Sequence, residues 1–182
     1  MSRQPLIVRD ARPEDVADLL EVWARAGSGI EHAEGFETEA ATALAQIAAD
    51  PDERLLVAQV DGAVVAALSL RRAPLSPLHT ENVVHTSYLL VLPQFRRHGC
   101  AHALLEAAVS WAEEKGVEHV TAITSSNSRD TNRFLARLGL APIATIRGAS
   151  TIALRDKLSP VPARSVGRVL AQRRSMRRRS AE

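Results

Sequence analysis

LLVLPQFRRHGCA, residues 89–101, is the stretch on which the fold of this chain turns. An apolar run suited to a buried strand meets Pro93. Two arginines and a histidine follow, and Gly99 then opens a helical apolar pattern. Positive charge at a helix start opposes the macrodipole, which favours anions there. The conflict disappears if an anion sits between those cations and the free N–H groups of the first turn. Gly99 lets backbone approach closely, and Cys100 and Ala101 are small. The stretch lacks the GxxxxGK[ST] spacing of a P-loop, and its single glycine excludes a dinucleotide fingerprint. A pyrophosphate suits it. A solvated basic loop that caps a helix is the competing reading.

The segments around this junction alternate between hairpins and helices. NVVHTSYLLVL (82–92) reads as a long strand with an end buried on both faces. Gly99 to Lys115 is predicted helical, with Ala101, Leu104, Leu105, Ala108 and Trp111 inward. HVTAIT (119–124) is the next strand, and 128–138 a helix closed by Gly139. Upstream, LLVAQV (55–60) and AVVAALSL (63–70) flank Asp61-Gly62, a hairpin signal. Leu6–Val8 forms a first strand. Pro13-Glu14-Asp15 opens a helix carrying Val16, Leu19, Leu20 and Trp23, and a second helix covers about Thr38–Ala49. PIATIR and STIALR (142–147, 150–155) are expected to close the domain as a hairpin. The order predicts an α/β sheet, largely antiparallel, with one parallel pair at the β-α-β crossover. Ligands favour strand ends at such a switch.

The 182 residues suit one domain with a full core, and 46% are hydrophobic. No run of 18 apolar residues suggests a membrane span, and the first residues lack a signal-peptide pattern. The single cysteine, Cys100, excludes an internal disulfide and a cysteine zinc cage. A cytoplasmic location is the expectation. The net charge of +2 is uneven: residues 164–182 hold seven arginines and one glutamate, a local +6, which leaves −4 elsewhere.

Val-x-Pro-x-Phe-Arg-x-x-Gly-x-Ala (91–101), followed by an amphipathic helix, a strand and a helix ending FLARLGL (134–140), resembles the GCN5-related N-acetyltransferase (GNAT) superfamily. The resemblance covers about residues 6–157. It implies a mixed, mostly antiparallel sheet flanked by helices, with a splayed central parallel strand pair. It also implies an acetyltransferase domain over 1–158, with a proline-containing linker and Arg-rich tail over 159–182. The implied co-substrate is acetyl-CoA, with Arg96, Arg97, His98, Gly99, Cys100 and Ala101 around its pyrophosphate. Backbone groups of Leu90, Val91 and Leu92 are then expected to pair with the pantetheine arm, one N–H polarising the thioester carbonyl. No metal is called for. Asn127 resembles an asparagine that some members direct at the CoA arm, offset by about one residue.

The implied reaction is direct attack of a neutral amine on the thioester, so a base is useful. Strand alternation sets Glu81, Val83, His85 and Ser87 on one face and Val84, Thr86 and Tyr88 on the other. Glu81 and His85 are the candidate bases, against an exposed carboxylate and a structural histidine as the plainer readings. Many members carry a tyrosine where this chain has Leu135. The only tyrosine, Tyr88, is the candidate acid, with burial in the sheet its commoner fate.

The expected acceptor is a small-molecule or protein amine. Glu31, Glu34, Glu37 and Glu39 in GSGIEHAEGFETE (27–39) are suited to attracting a cation. His98 and His102 lack a third metal ligand. The tail suits weak contact with RNA or an acidic surface, or serves as a solubilising segment. No membrane partner is expected, and a homodimer stays open. Two alternatives to the enzyme reading stand: a catalytically impaired CoA-binding sensor or adaptor, and an RNA- or ribosome-associated protein led by its tail.

Overall fold

The computed structural model describes residues 5–26 and 36–158. Glu31, Glu34 and the Arg-rich tail therefore lie outside the described residues. The chain divides into two compact units, Met1–Ala141 and Pro142–Glu182. The first holds a five-stranded sheet in the order β1 (Leu6–Asp10), β2 (Glu53–Val60), β3 (Ala63–Pro74), β4 (Asn82–Val91) and β5 (Val120–Ile123). The first three pairings are antiparallel and β4–β5 is parallel. This is the mixed, mostly antiparallel sheet with one parallel pair that the sequence predicts.

Each element has a local cause. Asp61 and Gly62 both take left-handed backbone (φ 52° and 85°), as a tight two-residue hairpin turn requires. Pro93 cannot donate to a ladder, and β4 ends two residues before it. The parallel pairing of β5 needs a crossover, which helix α3 (Cys100–Glu114) supplies. Helices α1 (Val16–Ala26) and α2 (Phe36–Ala49) pack on one another and on β2, β3 and β4, and α3 lies across β1 to β5. Residues 55–58 and 64–68 are consecutively buried, so the central strands are covered on both faces. Leu56, Leu68, Leu70, Leu104 and Val22 are the largest fully buried apolar side chains of this core.

Helix α4 (Arg129–Arg137) follows β5 and ends in a Schellman turn. Leu140 N–H donates to Leu135 O, Gly139 N–H donates to Ala136 O, and Gly139 has φ 90°.

The expected closing hairpin is a correction. In the second unit residues 142–150 form no strand, and Thr151–Leu158 form helix α5. Ser150 is the reason: its Oγ accepts from Ala153 N–H at 3.2 Å and its carbonyl from Leu154 N–H at 3.0 Å. That cap, with Ala153, Leu154, Arg155, Lys157 and Leu158 behind it, outweighs the alternation of Ile152 and Leu154.

Asp15 joins the end of β1 to the start of α1. It is buried and accepts from Arg9 Nη1 and Nη2 at 2.6 and 2.8 Å and from Arg12 N–H at 2.7 Å. The Arg9 hydrogen bond holds its carboxyl below the usual carboxylate range. A depressed folded pKa gives stability that is complete above the unfolded value of about 3.9 and is lost as pH falls through the folded one. Asp15→Asn should therefore cost about 1–3 kcal/mol near neutrality. In urea titrations it should also flatten the acid-side loss of stability; an unchanged acid slope would show that Asp15 is not the group responsible.

Candidate functional site

The site is built where β4 and β5 part. Val84 to Ser87 pair with Val120 to Ile123, and there the ladder stops while β4 runs on to Val91. A bulge coincides with the parting. Between the pairs Ala67↔Leu90 and Ser69↔Ser87, β3 has one intervening residue and β4 has two, Tyr88 and Leu89. Tyr88 takes φ 53°, a left-handed conformation that a bulky side chain rarely adopts. The regular alternation expected for 81–88 is therefore interrupted at Tyr88. Nor is it buried: Tyr88 is 44% exposed, and its ring lies 5.9 Å from that of Trp23 on α1, tilted by 30°.

Beyond the bulge, Leu92 N–H donates to Val65 O at 2.9 Å. Alternation then turns the polar backbone groups of Leu90 toward β3 as well, and those of Leu89 and Val91 toward the side that β5 has vacated. Of the three residues expected to offer backbone to a pantetheine arm, Val91 has its groups on the open side. Leu90 and Leu92 face β3.

The loop after β4 is a 3-10 turn over Pro93–Phe95 followed by two left-handed residues, Arg97 (φ 65°) and Gly99 (φ 88°). No side chain caps α3, and Ala103 N–H is the first to reach an acceptor behind the helix, Gly99 O at 3.0 Å. The N–H groups of Cys100, Ala101 and His102 are thus left to bind an anion. The neighbouring cations are equally uncommitted. Arg9, Arg12, Arg25, Arg54, Arg71 and Arg72 each have a carboxylate within 4 Å, whereas Arg96 and Arg97 have none among the described residues. His98 Nδ1 is 2.9 Å from Arg96 O. A carbonyl only accepts, so Nδ1 carries the proton and Nε2 is left for a ligand or water. Cys100 is buried beneath the loop, and burial pushes its thiol up, away from thiolate chemistry.

The candidate proton carriers are spread along β4. His85 is half-buried, three residues before Tyr88, with Nδ1 2.9 Å from Thr121 Oγ1 on β5. Glu81 is exposed just before the strand, seven residues from Tyr88, or about 23 Å of extended chain. It is not brought together with the parting point. Asn127 is exposed in the loop after β5. Because β4 and β5 run parallel, that loop leaves the same edge of the sheet as residues 93–99. Asn132 holds it, with Nδ2 donating to Ser125 O at 2.9 Å and Ser128 O at 2.8 Å. Leu135, in the position of the family tyrosine, is 6% exposed and part of the core. Glu37 and Glu39 are exposed in the first turn of α2.

Sequence reasoning missed three contributors: Trp23, Thr121 and Asn132. Trp23 carried only the signal of an apolar helix position, and the other two none. Among the described residues, no group of three or more His, Cys, Asp or Glu is arranged to hold a metal, and no helix is long and apolar enough to cross a membrane. A cavity of about 210 Å³, lined by Asp10, Leu44, Ile47 and Arg54 among others, lies at the far end of the sheet from the β4–α3 loop. Its charged pair is satisfied internally, with Arg54 Nε and Nη2 on the Asp10 carboxylate at 2.8 and 2.9 Å.

No curated protein sequence matches the chain. Among solved structures, a transcriptional regulator from Bacillus halodurans C-125 superposes with a TM-score of 0.69 at 19% identity, covering 81% of this chain and 99% of that one. Aminoglycoside N-acetyltransferase AAC(6')-Iy in complex with CoA gives 0.67 at 16%, covering 81% and 95%. Glucosamine-6-phosphate N-acetyltransferase from Arabidopsis thaliana gives 0.65 at 13%, covering 81% and 99%. At these identities the likeness is one of fold. The family model for the acetyltransferase (GNAT) family matches residues 16–140, well over half of the sequence and the whole span from α1 to the end of the α4 turn, and the chain belongs to that family.

Proposed function

We propose that the protein transfers an acetyl group from acetyl-CoA to a primary amine by direct attack. One observation carries the reading: two arginines without carboxylate partners among the described residues precede three free helix N–H groups, in the loop that follows the part of β4 released by β5. That set of donors fits a pyrophosphate, with Arg96 and Arg97 as side-chain cations and Cys100, Ala101 and His102 as backbone donors. The open-side groups of Leu89 and Val91 fit the amides of an extended arm, in the manner of an added strand. Bound acetyl-CoA supplies an activated thioester. The chain's part is to hold that thioester beside the amine, to donate an N–H to the oxygen that gains charge, and to manage two protons.

For the first proton the reading uses His85. With Nδ1–H donating to Thr121 Oγ1, Nε2 is an acceptor that receives the amine proton through water. For the second it uses Tyr88, an exposed residue whose hydroxyl donates to the departing thiolate. Glu81 is too far along the strand to share in either step. The amino-sugars that give two of the similar structures their names belong to the field of acceptors for this site as well.

A second reading is favoured by Leu135. With the usual acid position filled by a core leucine, the domain could bind CoA as a sensor without turnover. Acetyl-CoA binding without thiol release across a broad amine panel would favour it.

Calorimetric titration with acetyl-CoA should show binding that Arg96→Glu weakens about 10- to 100-fold and Arg96→Glu/Gly99→Glu abolishes. No binding at millimolar ligand would overturn the donor assignment. His85→Gln should lower kcat about 100-fold, leave KM for acetyl-CoA in place and remove the acid limb of the pH–rate profile; a full-rate variant would dismiss the base. Leu135→Tyr should cost about 1–3 kcal/mol in urea unfolding, because it overfills a packed position, and should not raise kcat. An increase in kcat would mean that this position still faces the thiolate.

A further inference from the structure

The acceptor side of the same site has chemistry of its own, and this inference rests on the acetyltransferase reading above. The sequence has two tryptophans, one tyrosine and three phenylalanines. Trp111 is buried, but Trp23 and Tyr88 are set against each other with accessible surface at the parting of β4 and β5. Tyr88 is held there in a left-handed conformation that costs a non-glycine residue stability. Such strain persists where the surroundings over-determine it, and it concentrates at ligand sites.

On α1 the near neighbours of the pair are apolar. On α1, Trp23 has Leu19, Leu20 and Ala26 three or four residues away, all within or against the core cluster. The nearest charges on that helix, Glu21 and Arg25, neutralise each other at 2.5 Å. Beside Trp23 on α1, a phosphate, a second ammonium or a carboxylate on the acceptor would thus meet only charges that already pair with each other. A flat apolar face would find two aromatic rings.

We propose that Trp23 and Tyr88 form the wall of the acceptor subsite, and that the acceptor is a primary amine carried on a flat apolar skeleton, of the arylalkylamine kind. The reacting nitrogen points along β4 toward the thioester while the skeleton stacks on the rings. Stacking on the skeleton, rather than cation–π contact with the nitrogen, leaves that nitrogen free to lose its proton.

The test uses the full chain and 2-phenylethylamine, with spermidine and glucosamine 6-phosphate as controls. Of the two tryptophan indole resonances, the one that Trp23→Phe removes should shift with 2-phenylethylamine in the absence of acetyl-CoA. Neither control should move it. In turnover, KM should be lowest for 2-phenylethylamine, and Trp23→Ala should raise it about three- to tenfold with KM for acetyl-CoA unchanged. Trp23→Phe should recover most of the loss, which a merely destabilised variant would not do. A silent Trp23 resonance overturns the proposal even if acetyl-CoA binds and some amine is acetylated. So does a lower KM for either control. Failure of acetyl-CoA to bind in calorimetry sinks the transferase reading instead, and the resonance shift separates the two results.

Discussion

β4 and β5 stay paired for four residues and then separate, and every candidate functional group of this protein takes its meaning from that separation. Had the ladder continued, the polar backbone groups of Leu89 and Val91 would be spent on β5. The bulge shifts the register of β4 against β3 and gives Tyr88 its left-handed turn. A strand that must hold β3 along its whole length and release β5 half-way needs some such device, because extra twist and a local bend are what a bulge adds.

The same edge resolves the electrostatic conflict in QFRRH. Several arginines along the sheet are balanced by a carboxylate: Arg9 by Asp15, Arg54 by Asp10, Arg72 by Asp52. Among the described residues no carboxylate stands within 4 Å of Arg96 or Arg97, and these two stand at the positive end of a helix dipole. Uncompensated charge of one sign at a helix end of that same sign is costly unless the counter-charge arrives with a ligand. That placement, beside free N–H groups at a helix start, argues for function better than the motif does by itself.

Periodicity made the crossover, the Asp61-Gly62 hairpin and the apolar faces of α1 and α3 legible, because each is a local pattern with a local cause. The loop at 93–101 was legible for the same reason. The bulge was not. Alternation counts residues within a strand, but where the register slips is decided by what β3 and β5 do on either side. The break at Tyr88 and its contact with Trp23, 65 positions away in sequence, could therefore not be inferred. Helix α5 was misread differently: Ile152 and Leu154 alternate like a strand, and the cap at Ser150 that settles the matter was overlooked.

Leu135 shows how a departure from a family pattern can follow from packing. The Schellman turn makes its carbonyl the acceptor for Leu138 and Leu140 N–H, at 3.0 and 3.1 Å, and its side chain enters the core. A phenolic hydroxyl at that depth would need a hydrogen-bond partner or would be costly. A leucine removes the demand and the acid together. In the proposed reaction, proton donation then falls to another group at the parting of the strands. The single tyrosine of the chain stands there, strained, exposed and braced by Trp23. A thiolate of pKa near 8.5 leaves tolerably without help. On the proposed mechanism the burden on that tyrosine is light enough for a bulge residue to carry, which would leave its ring available to the acceptor.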